Sequence, residues 1–165
     1  MSTGPVDQIT QANISEAHIL EILARIPYAK DLAIRPLVMG DELTLILPYS
    51  PQIIGNPMLK ALHGGAVGAF LETAAIVQLL LMPNSRSLPK LLSKPIGISI
   101  DYLRRGKPQD TFARAHIAKQ GARVANVRVR AWQDSYARPI TILHGHFLTA
   151  KANNVKAGAV KTDKK

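Results

Sequence analysis

The sequence predicts an α+β protein in which a curved antiparallel sheet is wrapped around one long central helix. Residues 62–82 form a run that is apolar on every side of a helix, and such a helix has to be buried. Two strand-like segments precede this run, and four more follow it with only turn signals between them. Consecutive strands joined by turns form antiparallel sheets, which commonly bury one face against a helix.

The length and composition favour a single domain over residues 1–165. The chain has 165 residues, of which 47% are hydrophobic, enough for a substantial core. We expect that core within residues 28–151 and a mobile tail at residues 152–165.

The segments before the central helix are a short helix, a hairpin and a loop. Apolar residues at helical spacing predict a helix over residues 14–25. Residues 32–39 and 42–48 have strand character and are joined by a Gly-Asp turn signal, which predicts the hairpin. Residues 49–62 contain several Pro, Gly and Asn residues, which predicts a loop.

The segments after the central helix are all strand-like. They cover residues 94–104, 110–119, 123–134 and 139–151, with turn signals between them. Alternation places two sets of residues on opposite faces of the first segment, Ile96, Ile98, Ile100 and Tyr102 on one face and Gly97, Ser99 and Asp101 on the other.

Glu72 is the first candidate for chemistry. It is the only formally charged residue between Lys60 and Arg86, and it lies in the middle of the apolar run. Burying a lone carboxylate is costly, so such a residue is neutralised, paired or kept for a reaction. The run is nearly long enough for a membrane helix, but Glu72, Thr73 and Gln78 interrupt it, so we expect no membrane span.

A His-Gly-Gly motif stands at the start of this helix. Gly64 and Gly65 fall on the first turn, where unpaired backbone N–H groups can bind an anion or a developing oxyanion. His63 precedes them and lies nine residues before Glu72, which is about two and a half turns. The imidazole and the carboxylate therefore line one pocket only if another element or chain faces Glu72.

The charge balance favours an anionic partner. Lys and Arg number 21 against 11 Asp and Glu, giving a formal charge of +10. Only 5% of residues are aromatic and no helix-turn-helix, zinc-finger or RNP-like pattern occurs, so we expect a phosphorylated small molecule and no nucleic acid.

The chain contains no cysteine, which excludes disulfides and cysteine-ligated metal and fits a reducing compartment. We see no export signal and expect a cytoplasmic protein. His144 and His146 share one strand face, but no Asp or Glu is spaced to complete a site with them, so we expect no metal.

The chain resembles the hotdog-fold acyl-CoA thioesterases of the phenylacetate-degradation (PaaI-like) group over residues 32–149. The resemblance rests on the HGG motif at residues 63–65 followed by Glu72, on ISIDYLRRGKPQD at residues 98–110, and on AKQGARVANVRVRAWQD at residues 118–134. It implies a hotdog fold and the hydrolysis of acyl-CoA thioesters, with CoA present only as part of the substrate. It also implies a homodimer or homotetramer with its sites at the dimer interface.

The resemblance implies a role for each of five residues. Glu72 matches the carboxylate that acts as general base or nucleophile on the thioester carbonyl. Gly65 matches the backbone N–H that polarises this carbonyl, and His63 matches the histidine of the same motif. Ser99 falls where related enzymes place a hydroxyl from the opposite subunit, and Asn56 lies one step from the asparagine of the family's loop.

Basic residues near the later turns are candidates for binding the CoA nucleotide. The resemblance implies that Arg104 and Arg105, together with Gly121 and Arg123, border the route of the pantetheine and phosphates. The chain departs from the family at Lys60, where relatives often have glycine. Three other functions stay open: a hotdog hydratase or dehydratase acting on acyl thioesters, a non-catalytic acyl-CoA sensor and, last, a nucleic-acid-binding module, which salt-dependent binding would test.

Overall fold

The computed structural model describes residues 15–82, 93–121 and 123–148. Three helices occur in these ranges: α1 (Glu16–Ala24), α2 (Pro27–Asp31) and α3 (Gly64–Leu80). Eight strands accompany them: β1 (Arg35–Met39), β2 (Glu42–Leu47), β3 (Ile54–Asn56), β4 (Ala61–Leu62), β5 (Lys94–Tyr102), β6 (Thr111–Gln120), β7 (Val124–Trp132) and β8 (Thr141–Leu148).

The main sheet has six strands in the order β1-β2-β6-β7-β8-β5, and all neighbours are antiparallel. Helix α3 packs against one face of this sheet, mainly on β6, β7 and β8. The predicted α+β arrangement is confirmed, and the main sheet takes two of its strands from before the long helix and four from after it. No helix in the described part of the chain is long and apolar enough to cross a membrane.

The hydrophobic core lies between α3 and the inner face of the sheet. On β7, Ala125, Val127 and Val129 are buried, whereas Arg128 between them is exposed, as the alternation predicts. Helix α3 buries most of its residues because the sheet packs against one side of it and α1 also contacts it. A helix that is covered on more than one side needs apolar residues all round, which explains the sequence of α3.

The structure differs from the sequence expectations at three short elements. The predicted first strand begins at Arg35 rather than at residue 32, because Pro27 occupies the first turn of the second helix, α2. The predicted loop at residues 49–62 contains a 3-10 turn (Pro51–Ile53) and the two-stranded sheet of β3 and β4. The tail predicted at residues 152–165 lies outside the described residues.

Lys60 adopts a backbone conformation that glycine favours. Its φ is +48°, in the left-handed region, where the Cβ of an ordinary side chain is crowded. This is the position at which relatives of the resembled family often carry glycine. Lys60 therefore occupies a backbone conformation that glycine adopts without crowding.

Strand β5 forms one edge of the sheet and is exposed along almost its whole length. Ile98, Ile100 and Tyr102 point toward α3, and Ser99 and Asp101 point to the outer face of the sheet, as predicted. Nevertheless, Ile98 is 36% exposed and Tyr102 is 55% exposed. The edge strand thus leaves apolar side chains uncovered on the face that the rest of the sheet buries.

Candidate active site

His63 is the N-cap residue of α3. Its Nδ1 accepts hydrogen bonds from the backbone N–H of Gly65 at 3.0 Å and of Ala66 at 3.4 Å. Nδ1 can accept only in the neutral imidazole, so the ring proton is on Nε2. Its backbone carbonyl accepts from the N–H of Val67 at 3.1 Å. The imidazole of the motif histidine thus satisfies two of the N–H groups that a helix start leaves unpaired, and its carbonyl accepts the first regular bond of the helix.

This cap changes which glycine is available as an oxyanion donor. The N–H of Gly65, the predicted donor, is directed to the imidazole of His63. The N–H of Gly64 has no acceptor among the described residues, and its carbonyl accepts from the hydroxyl of Tyr102 at 2.7 Å. A hydrogen bond to substrate at this helix start is therefore open to Gly64 without disturbing the cap.

Gly55 determines where His63 sits, and sequence reasoning missed it. A Cβ at Gly55 would lie 2.6 Å from the Cα of His63, a distance that real Cβ atoms do not tolerate. The backbone N–H of His63 also donates to the carbonyl of Ile53 at 2.8 Å. A glycine eight residues before a capping histidine is a weak sequence signal, because the close approach follows from the small β3–β4 sheet.

Glu72 lies on a half-exposed stripe of α3. Gly65 is exposed and Ala69 and Glu72 are half-buried, and these three follow one another at helical spacing. No described residue forms a hydrogen bond or an ion pair with the Glu72 carboxylate. Burial raises the pKa of Glu72 above its ordinary value because the charged form loses water without gaining a partner.

Glu72 and Gly64 lie far apart along α3 within a single chain. They face similar sides of α3, but eight residues of helix separate them by about 12 Å. Reacting atoms have to come within about 3–3.5 Å, and a glutamate side chain does not bridge the difference. The site therefore has the parts predicted from the sequence, distributed along one helix rather than gathered at one point.

Arg104 and Arg105 line a surface cavity beside the start of α3. The cavity has a volume of about 410 Å³, and Gly64 and Tyr102 also line it. Arg104 donates to the carbonyl of Pro139 at 2.6 Å, and Arg105 donates to the carbonyl of Leu59 at 2.9 Å. Each guanidinium keeps further donors for a ligand. The two arginines and the free Gly64 N–H thus border one cavity.

Gly121 and Arg123 lie at the other end of the sheet. They flank the turn between β6 and β7, and the N–H of Gly121 donates to the carbonyl of Val124 at 2.8 Å. Arg104 follows Tyr102 at the end of β5. Across the sheet, Tyr102 is aligned with the first residues of β6, whereas Gly121 follows the last residue of β6. Strand β6 has ten residues, which span about 30 Å. The structure does not bring the four predicted CoA-binding residues together within one chain.

Ser99 and Asn56 are also apart from Glu72. Ser99 faces outward and pairs with His144 of β8, whereas α3 lies on the inner face. The side-chain oxygen of Asn56 accepts from the N–H of Leu59 at 2.9 Å and so closes the turn before β4. In this chain Asn56 shapes the loop that leads to His63, and Ser99 belongs to the opposite surface.

The outer-face histidines form no metal-binding group among the described residues. His144 does have an acidic neighbour that the sequence spacing did not reveal. Its Nε2 lies 3.9 Å from a carboxylate oxygen of Asp101 on the adjacent strand.

Comparisons with known proteins place this geometry in a family. Residues 55–150 match the family described as acyl-CoA thioesterase N-terminal domain. Among curated proteins, no sequence matches the chain. A solved structure from Chromobacterium violaceum is 36% identical, with a TM-score of 0.66 over 83% of this chain and 93% of that chain.

Two more distant structures share the fold. The Escherichia coli PaaI protein from the phenylacetic acid degradation operon is 19% identical, with a TM-score of 0.62 over 81% of this chain and 95% of that chain. A thioesterase family protein from Silicibacter pomeroyi is 17% identical, with a TM-score of 0.67 over 81% of this chain and 97% of that chain. The match over residues 55–150 includes the capped helix start and Glu72, and the fold is the hotdog fold of these thioesterases. The chain belongs to the acyl-CoA thioesterase family.

Proposed function

We propose that this protein hydrolyses acyl-CoA thioesters and that the Glu72 carboxylate is the general base or the nucleophile. The observation that carries the proposal is the environment of Glu72. A carboxylate that is half-buried on an apolar helix, has no partner in the described structure and has a raised pKa is costly to keep. A raised carboxyl pKa also brings its basicity closer to that needed to activate water at neutral pH.

The backbone N–H of Gly64 is the proposed donor to the developing oxyanion. It stands at the positive end of the α3 dipole and borders the cavity that Arg104 and Arg105 line. His63 supports this role indirectly, since its cap holds the first turn of α3 in place without occupying the Gly64 N–H.

Two subunits have to contribute to each site in this proposal. The separation of about 12 Å along α3 between Gly64 and Glu72 is the reason for placing the two groups of one site on different subunits. A two-fold axis that pairs β5 with its copy would extend the sheet, cover the exposed apolar residues of β5 and set two α3 helices side by side in opposite directions. Gly64 of one subunit would then face Glu72 of the other, twice per dimer.

The same two-fold arrangement accommodates the separated basic residues. Antiparallel pairing of two β5 strands puts the β6–β7 turn of one subunit at the end of the joined sheet where Arg104 and Arg105 of the other lie. Arg123 would therefore assist these two arginines across the interface in binding the CoA phosphates.

The hydratase or dehydratase alternative gains no support from the site. It requires a histidine that moves protons together with a carboxylate. The Nδ1 of His63 is engaged in the cap, and nine residues separate this imidazole from Glu72. We therefore keep hydrolysis as the proposed reaction.

Thiol release from a panel of acyl-CoA substrates tests the proposal. We expect Glu72→Gln to lower turnover by about 100-fold to 10,000-fold, as is typical when a general base is lost. Gln78→Ala is the matched control, because it removes another half-buried polar group from the same helix and should leave turnover unchanged. Full activity of folded Glu72→Gln would refute the role of Glu72. A wild-type protein that binds acyl-CoA without releasing thiol would be a sensor instead.

A further inference from the structure

The outer face of the sheet, on the side away from α3, carries a grid of arginine, lysine and histidine side chains on β6, β7 and β8. The strand register puts His116, Arg128 and His144 in one row across the three strands. In the next row, two residues along, Arg114 lies directly opposite Arg130. On the other side of the central row, Lys119 pairs with Asn126, which pairs with His146. Three adjacent rows therefore all present basic groups.

The grid has few acidic partners in the described structure. Glu42 binds Arg114 at 2.7 Å, and Asp101 lies 3.9 Å from His144. Neither Arg128 nor Arg130 has a carboxylate within ion-pair distance. Like charges directly opposite each other on neighbouring strands are destabilising. Since Arg114 is neutralised by Glu42, the two arginines of the grid that remain available to an external anion are Arg128 and Arg130.

Aromatic rings hold two of these arginines in position. The guanidinium of Arg130 lies 4.9 Å from the ring centre of Tyr136, and that of Arg114 lies 5.4 Å from the same ring. Tyr136 in turn packs edge-on against Trp132, with 4.9 Å between the ring centres, and Trp132 stacks on Phe112. Charged groups that are already ordered lose less entropy when they bind a ligand.

We propose that this outer face binds the phosphate backbone of nucleic acid without reading its sequence. Successive rows are about 7 Å apart, because side chains on one face repeat every second residue, so the grid offers cations at regular intervals to a repeating chain of phosphates. A planar guanidinium group can donate two parallel hydrogen bonds to two oxygens of one phosphate. The aromatic rings of the face are stacked on each other or beneath arginines, so they provide no platform for bases.

This inference is independent of the proposed hydrolysis and differs from the sequence expectation of no nucleic acid. That expectation was based on the absence of base-reading motifs, and backbone contact requires none of them. A second copy of the chain fits the face poorly. A two-fold contact centred on Arg128 would bring like charges together, which weakens association.

The test is the binding of a fluorescently labelled mixed-sequence DNA duplex of about 20 base pairs, measured by anisotropy over a range of salt concentrations. The variant is Arg128→Glu with Arg130→Glu in the full chain. The matched control is Arg25→Glu with Lys30→Glu, which changes the net charge equally on exposed residues of the α1–α2 segment. We expect the outer-face variant to weaken binding at least about tenfold and to reduce the salt slope by roughly 2, and the control to change the affinity less than about threefold.

Four results would overturn the proposal. Wild-type protein that shows no salt-dependent binding of the duplex would do so. Equal losses in the two variants would mean that only net charge matters. Binding of polyglutamate in preference to the duplex would indicate an acidic protein partner. A changed oligomeric state in the outer-face variant, measured by light scattering, would indicate that a second copy covers the face. Melting temperature and thiol release confirm that each variant is folded.

Discussion

At the residue scale, the carboxyl group of Glu72 should make stability depend on pH in an unusual direction. Its pKa is raised by burial above the ordinary value of 4.5, so the folded state binds a proton more tightly than the unfolded state. Stability is then fully present below pH 4.5 and is lost as the pH rises through the folded pKa. An acidic residue with an ion-pair partner would behave in the opposite way.

Melting curves of wild type and Glu72→Gln from pH 4 to pH 8 measure this effect. Because glutamine cannot ionise, we expect the variant to match wild type at the acidic end and to melt at a higher temperature than wild type at pH 8, with the gap widening as the pH rises through the folded pKa of Glu72. If the variant melts lower than wild type at pH 8, Glu72 is a paired structural carboxylate.

At this scale the sequence was a better guide to which residues belong to the site than to the role of each residue. The position of Glu72 in an apolar run was enough to single it out. The role of His63 depends on its Nδ1 accepting hydrogen bonds from two backbone N–H groups. That position of the ring is possible only because residue 55 is a glycine, which leaves room for the backbone of His63. The left-handed conformation of Lys60 was hidden because lysine has no special preference for it.

At the element scale, the start of α3 allows the Gly64 N–H to be removed with little change in backbone. Proline suits the first position of a helix, and His63 before it already has the extended conformation, φ −68° and ψ 124°, that proline requires of its neighbour. We expect Gly64→Pro to lower turnover about 100-fold to 1,000-fold, the usual cost of losing one oxyanion donor.

Gly64→Ala is the control for that change. Both substitutions add a Cβ at the same place, 3.3 Å from the ring of Tyr102, but alanine keeps the N–H. If the two variants have similar melting temperatures, a difference in turnover between them measures the loss of the Gly64 N–H, because both have the same crowding against Tyr102. Equal losses in the two variants would assign the effect to Tyr102 and leave Gly64 without a catalytic role.

Elements with a clear periodicity were predictable, and short ones were not. Strand β7 alternates over nine residues, so its type and buried face followed from the sequence, whereas α3 was recognisable by the length of its uninterrupted apolar run. Strand β4 has two residues and α2 has five, too few for a period to be recognised. The separation of Arg104 from Arg123 is a matter of strand length, since a ten-residue strand carries its two turns to opposite ends of the sheet.

At the scale of the whole molecule, mixing two inactive proteins tests whether sites are shared between subunits. Glu72→Gln and Gly64→Pro each remove a different half of the proposed site. After random exchange of subunits between equal amounts, half of the dimers are mixed, and each mixed dimer has one intact site and one with both changes. We therefore expect recovery of about one quarter of wild-type turnover.

The control is each variant exchanged with itself, which should regain nothing. Turnover is measured after subunits are allowed to exchange and compared with the same mixture assayed immediately. Absence of recovery, with exchange verified by mass spectrometry of labelled subunits, would mean that Glu72 and Gly64 act within one chain or that one of them does not act at all.

The open edge of β5 also has a consequence for the newly synthesised chain. Its unpaired backbone groups and exposed Ile98 and Tyr102 are a template for any extended segment that arrives first. Lys94 and Pro95, with the irregularity between Pro95 and Gly97, discourage such pairing at one end of the strand. Misassembly should therefore begin at residues 98–102. At low protein concentration a subunit waits longer for its partner, so this edge of β5 stays unpaired for longer.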